Sequence, residues 1–378
     1  MDLTKAFDLI RFDKLFMMLL SRGVPVVDTR ALMDMYTRQQ IRTVWKNTYS
    51  EYFTATNGIR QGSIASPSLF TVYMDVLLHQ LEQDGTGCWK GPYYMGALCY
   101  ADDLLLLCPS LQGLRKMLKT CDTLGNELGM KFNPKKSECI SFGKTAELRP
   151  PSVVLGGGKL CWKNSVRHLG NYLNKRLDDE QEIQNKRGEL FGRMNLLQSH
   201  LFSAPDEVKM AVFSSKCCHM YGCEAWNLNP KYVNGFWKAW NRCVRILLKL
   251  HPRTHCRLLP LIAGSENAAD QMMNRFLVQV KTMANSPSRR ILYMTMSSLN
   301  DCSSIIGHNM SLVCANYDIP RERIFSVKLS AHTKMYTPEE RADAMAIQEL
   351  RLMLSHQSDN DVFNANEAKQ FIDFICTN

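Results

Sequence analysis

Met95-Gly96-Ala97-Leu98-Cys99-Tyr100-Ala101-Asp102-Asp103-Leu104-Leu105-Leu106-Leu107-Cys108 is the stretch around which the rest of the chain can be read. Two apolar segments, each the length of a buried strand, flank two adjacent carboxylates. The pattern predicts a tight hairpin with Asp102 and Asp103 at its tip, where Asp tolerates the turn backbone. Two anions this close repel, so a cation must compensate or one must protonate. The usual compensation is a divalent metal with oxygen ligands. Taken alone, the pair reads as an acidic turn capping a buried hairpin.

Upstream lies Thr56-Asn57-Gly58-Ile59-Arg60-Gln61-Gly62-Ser63-Ile64-Ala65-Ser66-Pro67-Ser68-Leu69-Phe70. Its glycines make a loop that a ligand can approach closely. Ser66 is expected to cap a helix with Pro67 at its first position. That helix should run to about Gln83 with Phe70, Tyr73, Leu77 and Leu81 inward. A Gly-rich loop ahead of a helix N-terminus suits phosphate. Further upstream, Phe12, Leu15, Phe16 and Leu19 mark one helix face, and Gly23-Val24-Pro25 stops it. A second helix is expected over residues 27–37. Residues 41–45 and 49–56 alternate like a hairpin.

Downstream, residues 110–128 form an amphipathic helical pattern that Gly129 stops. Residues 139–142 and 166–173 read as strands, so the first part of the chain is an α+β core. From Asp179 the period is helical, with helices expected over 179–201, 206–223 and 232–250. Between Lys231 and Arg257 there is no acidic residue. Lys238, Arg242, Arg245 and Lys249 step by four, three and four and so share one helix face, with Trp240, Val244 and Leu247 opposite. One stripe can pack on the domain while the other faces a phosphate backbone; a merely solvated charged face fits equally. Beyond Pro260 the chain reads as mostly helical, with one helix opened by Pro338-Glu339-Glu340. Cys217-Cys218-His219 with Cys223 matches no zinc spacing and reads as helix core. Trp226 and Trp237 have the chemistry to stack bases, whereas Trp240 suits core packing.

The 378 residues are enough for two or three domains. A hydrophobic content of 45% with 22% charged residues suits a soluble globular protein. No apolar run approaches a membrane span, and Met1-Asp2-Leu3-Thr4-Lys5 is not a signal peptide. Fourteen scattered cysteines suit thiols in a reducing compartment. A net charge of +10 points to a polyanionic partner.

Asp2, Asp102 and Asp103 meet if the first strand lies beside the hairpin. Three carboxylates around two divalent ions, roughly 3.5–4 Å apart in such sites, suit in-line nucleotidyl transfer. Lys136 sits in a loop that can reach such a site as general acid.

These residues carry a resemblance. Asp2-Leu3-Thr4-Lys5-Ala6-Phe7-Asp8 resembles motif A of the reverse transcriptases of LINE-type (non-LTR) retrotransposons. Gly58-Ile59-Arg60-Gln61-Gly62-Ser63, through Ser66-Pro67 and Phe70, resembles motif B, and Tyr100-Ala101-Asp102-Asp103 resembles motif C. Residues 129–138 resemble motif D and Arg167-His168-Leu169-Gly170 motif E. Five motifs in order over residues 1–172 are more specific than any one of them. A cyclase-like palm also uses carboxylates and two metals, but the loop at residues 58–70 and the segment 167–170 argue against it.

The resemblance implies a polymerase palm at 1–175, an antiparallel sheet with helices on one face. A helical thumb at 176–250 and a mostly helical region at 251–378 follow. It implies an RNA-directed DNA polymerase that transfers nucleotides to a primer 3′-hydroxyl with two Mg²⁺ ions, Mn²⁺ being an alternative. Its partners are an RNA template, a DNA primer and dNTPs, without a membrane, and its setting is intracellular, in cytoplasm and nucleus. Asp2 and Asp102 would hold both metals, with the Leu3 carbonyl assisting and Asp103 in support. Phe7 would exclude a ribonucleotide 2′-hydroxyl. Arg60, Gln61 and Gly62 would line the nucleotide pocket, and Lys136 would approach the pyrophosphate. Ser66 and Pro67 would touch nucleic acid, and His168, Leu169 and Gly170 would grip the primer. Lys238, Arg242, Arg245 and Lys249 would contact the template–primer backbone. The chain starts at motif A, so it resembles a truncated frame in which Asp2 lies loose and polymerisation is impaired. A catalytically inactive nucleic-acid-binding remnant is the alternative.

Overall fold

The computed structural model describes residues 1–143, 151–323 and 337–356. The chain is α+β and forms two compact units. One is Met1–Leu169 with Asn174–Leu177; the other is Gly170–Leu173 with Asp178–Asn378. Three regions were expected, with a boundary near 250. Among the described residues, Trp240 and Leu247 before that point share one core with Leu259, Met272 and Phe276 after it.

In the first unit the helical periods hold. α1 (Phe12–Ser21) buries Phe12, Leu15, Phe16 and Leu19, and α2 (Val26–Thr37) buries Tyr36. α3 (Ser66–Gln83) buries Phe70, Tyr73, Leu77 and Leu81. α4 (Leu111–Leu128) opens on Ser110, whose hydroxyl accepts from the Gly113 N–H, and ends on Gly129 at φ +73°. α3 packs on α1, on α4 and on the strand Ala97–Tyr100. The predicted hairpin is present: Ala97–Tyr100 pairs antiparallel with Asp103–Leu106, Tyr100 facing Asp103. The bend falls on Ala101, which takes the left-handed backbone at φ +51°. The strands are shorter than expected and only half-buried. Ala97 and Leu104 face the core, whereas Leu98 is 37% exposed.

The alternation over 41–56 resolves into two short antiparallel ladders. Gln40–Ile41 pairs with Phe53–Thr54, and Val44–Trp45 with Thr48–Tyr49. The turn between the inner strands is Lys46-Asn47, both at positive φ, the geometry that matches strand twist in two-residue hairpins. One pair departs from an all-antiparallel palm: Cys161–Lys163 runs parallel to Glu138–Ile140.

In the second unit α5 (Glu180–His200), α6 (Asp206–Val212) and α7 (Pro230–Leu247) precede α8 (Leu259–Ala263), α9 (Ala268–Ala284), α10 (Arg289–Asn300), α11 (Ile305–Tyr317) and α12 (Pro338–His356). α5 lies along α7. The helix expected over 206–223 stops early: after Val212 the chain takes a π-helical turn, Phe213–Cys217, and leaves the helix. Cys217, Cys223 and Cys243 are buried in this core, and burial pushes the Cys223 and Cys243 thiols up to about 12. Trp226 and Trp240 are buried there too, which leaves neither free to stack a base. Among the described residues no helix is long and apolar enough to cross a membrane.

Candidate active site

Residues 1–4 are hydrogen-bonded on both sides. Towards the hairpin, the Met1 amine donates to the Leu104 carbonyl (2.7 Å) and the Leu104 N–H donates to the Met1 carbonyl (3.1 Å). On the other side, Asn133 N–H donates to the Asp2 carbonyl (2.9 Å) and Thr4 N–H to the Lys131 carbonyl (2.7 Å), which frames the bridge Leu3↔Phe132. Asp2 N–H donates to the Ser137 hydroxyl at 3.1 Å. The loose Asp2 expected from the sequence is thus not what is found.

Met1 and Leu104 exchange both backbone hydrogen bonds, and Asp2 and Asp103 are the residues that flank this pair. Backbone groups alternate in direction along a strand. Those of Met1 bond to the hairpin at Leu104, and those of Asp2 bond to Asn133 and Ser137. Burial lowers the pKa of the Met1 amine, and the nearby Asp103 and Asp2 charges oppose that shift. Burial likewise pushes the Cys99 thiol up to about 11, with Asp102 and Asp103 adding to it.

Three carboxylates and one carbonyl are all hard oxygen donors, the set that suits Mg²⁺. Among the described residues no three acidic, His or Cys side chains are gathered tightly enough to hold a metal ion. What the fold provides is the backbone register that brings the strands carrying them side by side.

The loop at residues 58–66 is tied to the segment after Asp2. Gly58 N–H donates to the Ile10 carbonyl and Ile59 N–H to the Phe7 carbonyl, both at 2.8 Å. A Cβ on Gly58 would stand 2.9 Å from the Asp8 carbonyl, so only glycine permits this approach. Arg60, Gln61 and Gly62 are exposed on this loop, and the Gln61 amide reaches Asp8 at 3.4 Å. Phe7 is half-buried and stacks on Phe70 with centroids 4.7 Å apart.

Ser66 departs from expectation twice. Ala65 is the N-cap of α3 and Pro67 its second residue. The Ser66 hydroxyl instead donates to the Arg60 carbonyl at 2.6 Å, and the residue is only 1% exposed. It closes the loop rather than touching nucleic acid, while Pro67 is exposed beside it.

Lys136 is exposed in the turn that the Asn133 N–H and the Ser137 hydroxyl fasten to Asp2. Sequence reasoning missed Ser137, which is buried at 1%. A lone serine ahead of a strand carries no signal that it caps the backbone of a residue 135 positions away. Leu169 and Gly170, both at positive φ, turn the chain between Ser165–His168 and Asn171–Asn174, with His168 half-buried.

On α7, Lys238 and Arg242 are exposed, and Lys249 lies exposed just past the helix end at φ +51°. Arg242 and Lys249 sit over the Phe191 and Phe202 rings at 5.9 and 5.5 Å. Arg245 differs: its guanidinium donates twice to the Thr254 carbonyl, at 3.1 and 2.7 Å, and contacts the Cys256 sulfur. It pins the loop after α7.

The sequence model of the family "Reverse transcriptase (RNA-dependent DNA polymerase)" matches residues 1–173. The Pol polyprotein of the type-1 retrotransposable element R2 of Nasonia vitripennis is 30% identical over 142 residues, 38% of this chain. That of the type-2 element R2DM of Drosophila melanogaster is 30% identical over 156 residues, 41% of this chain. That of the type-1 element R1 of Bradysia coprophila is 24% identical over 207 residues, 51% of this chain. The chain spans 14%, 14% and 19% of the length of these three relatives.

Proposed function

We propose, proceeding from the reverse transcriptase domain at residues 1–173, that this polypeptide is the catalytic part of an RNA-directed DNA polymerase of a non-LTR retrotransposon. The observation that supports the reading is the pair of backbone hydrogen bonds between Met1 and Leu104, the residues next to Asp2 and Asp103. Asp2, Asp102 and the Leu3 carbonyl would hold two Mg²⁺ ions, with Asp103 in support. Bound there, the ions would supply a lowered pKa at the primer 3′-hydroxyl and charge for the leaving pyrophosphate.

The remaining steps belong to the chain's own residues. Arg60, Gln61 and Gly62 would hold the incoming nucleotide on a loop that Ser66 and Gly58 make rigid. Phe7, braced by Phe70, would stand where a ribose 2′-hydroxyl would clash. Lys136 would give a proton to the pyrophosphate, on a turn that shares its anchor with Asp2. His168, Leu169 and Gly170 would support the primer end. Lys238, Arg242 and Lys249 would bind duplex phosphates.

The test is primer extension on an RNA template with dNTPs and Mg²⁺. Templated extension by wild type, lost in Asp102→Asn with hybrid binding intact, supports the reading. Hybrid binding with no extension in either protein instead favours a nucleic-acid-binding role without catalysis.

A further inference from the structure

We propose that the β-ribbon of residues 39–55 is a stacking platform for single-stranded nucleic acid, which receives unpaired template next to the nucleotide loop. That the strand is template rests on the polymerase reading; that the ribbon binds unpaired bases rests on its own chemistry.

The ribbon exposes large apolar side chains that a folded core would bury. Val44 is 54% exposed, Trp45 74%, Tyr49 56%, Tyr52 57% and Phe53 52%. A two-stranded ribbon is marginal in water without a packed face, and a patch of this kind marks an interaction site. The arrangement on it is specific. Val44 pairs with Tyr49, and Arg42, two residues before Val44, lies on the same face. The Arg42 guanidinium sits over the Tyr49 ring at 4.1 Å and the Tyr52 ring at 5.2 Å. A guanidinium held over a ring still has N–H donors to offer a phosphate. Trp45 projects on the other face beside Lys46 in the turn.

Charge selects the occupant. From Arg38 to Ala55 the cations are Arg38, Arg42 and Lys46, and the one acid is Glu51. An apolar protein partner would use the rings but not the cations between them. Aromatic rings interleaved with cations are what a single strand needs, because every base has a face to stack and every nucleotide a phosphate.

Position selects the strand. The outer ladder ends at Thr54, and Gly58 is already bonded to the Ile10 carbonyl. Four residues span at most about 14 Å. Tyr49 lies up to about 18 Å further along the ribbon, so unpaired template leaving the loop of Arg60 and Gln61 would meet Phe53 first and Tyr49 and Trp45 beyond it.

The experiment measures binding of two labelled probes to the whole polypeptide by fluorescence anisotropy. One is a blunt RNA–DNA hybrid; the other is the same hybrid with a short unpaired 5′ extension of the RNA. Wild type should bind the extended probe more tightly, by roughly fivefold or more for each base stacked. Tyr49→Ala, Tyr52→Ala, Trp45→Ala and Arg42→Gln should each reduce that gain and leave blunt-hybrid binding unchanged. Where a Tyr variant melts lower than wild type, Trp45→Ala and Arg42→Gln carry the test, since both side chains stand off the core.

A hybrid bound equally with and without the extension overturns the ribbon's role and leaves the polymerase reading intact. So do variants that keep the gain. Variants that change the sedimentation of the protein without affecting the gain identify the ribbon as a contact between copies, which also overturns the proposal. A ring-dependent gain with no primer extension upholds the ribbon as a single-strand site and refutes only its link to a template.

Discussion

Met1 and Leu104 exchange both of their backbone hydrogen bonds across 103 positions of sequence, with Asp2 and Asp103 the residues beside the pair. A shift of one residue would turn the Asp2 side chain to the opposite face of the ladder. The register is held from the other side as well, by the Asn133 N–H and the Ser137 hydroxyl on Asp2.

A site built on that register should bind a divalent metal only when folded, so Mg²⁺ or Mn²⁺ should raise the melting temperature. Asp102→Asn should remove the rise. Equal metal-induced shifts in wild type and variant, measured by scanning calorimetry, would exclude Asp102 as a ligand.

Phe7 should set sugar selection. Phe7→Ala is expected to raise ribonucleotide incorporation relative to dNTPs, because the ring no longer meets the 2′-hydroxyl. Phe70→Leu is the control: it gives up a stacked pair worth about 0.5–1.5 kcal/mol but leaves the gate. An incorporation ratio that Phe7→Ala does not move would make Phe7 a packing residue alone.

Gly58 and Gly62 both lie at positive φ, +88° and +84°, so alanine is strained at either. Only at Gly58 would the new Cβ also meet backbone, the Asp8 carbonyl at 2.9 Å. Urea unfolding should therefore find Gly58→Ala less stable than Gly62→Ala. The strain common to both is on the order of 1–3 kcal/mol. Equal losses would show that the loop shifts away from Asp8 at no cost.

The basic stripe should act through three cations. Replacing Lys238, Arg242 and Lys249 with Gln should lower the log–log salt slope of duplex binding by about 2.7, at ~0.9 per phosphate contact. Arg245→Gln should leave the slope alone and reduce stability instead, since it breaks two bonds to the Thr254 carbonyl. A slope that falls with Arg245→Gln would return that residue to the nucleic-acid surface.

Asp179 should make stability depend on pH. Burial pushes its carboxyl up, helped by the Asp178 and Glu182 charges and opposed by the Asn227 N–H that it accepts. The folded state therefore favours the neutral acid. Its contribution is complete below the unfolded carboxylate range, near ~3.9, and is lost as pH rises through the higher folded value. Asp179→Asn keeps an acceptor without the charge. It should melt above wild type at neutral pH, with the difference closing in acid. A difference constant with pH would mean that the carboxyl is not shifted.

The sequence alone determined the local elements. The boundaries of α4 followed from Ser110 and Gly129, the inward faces of α1 and α3 from helical spacing, and the Asp102 hairpin from two apolar runs around a turn. These depend on residues a few positions apart, whose capping, spacing and turn chemistry are written side by side. The order of the motifs pointed to the reverse transcriptase match at residues 1–173 for the same reason.

Tertiary structure decided the rest. Ser66 has the composition of a cap, but its hydroxyl is taken by the Arg60 carbonyl because the loop folds back over it. Arg245 has the spacing of a phosphate contact, but the chain after α7 turns and presents the Thr254 carbonyl to it. Phe7 meets Phe70, and Met1 meets Leu104, only after distant segments pair. Such pairings are fixed by which backbone groups remain to be satisfied once the core closes, and that is a property of the whole fold with no counterpart in any short stretch of sequence.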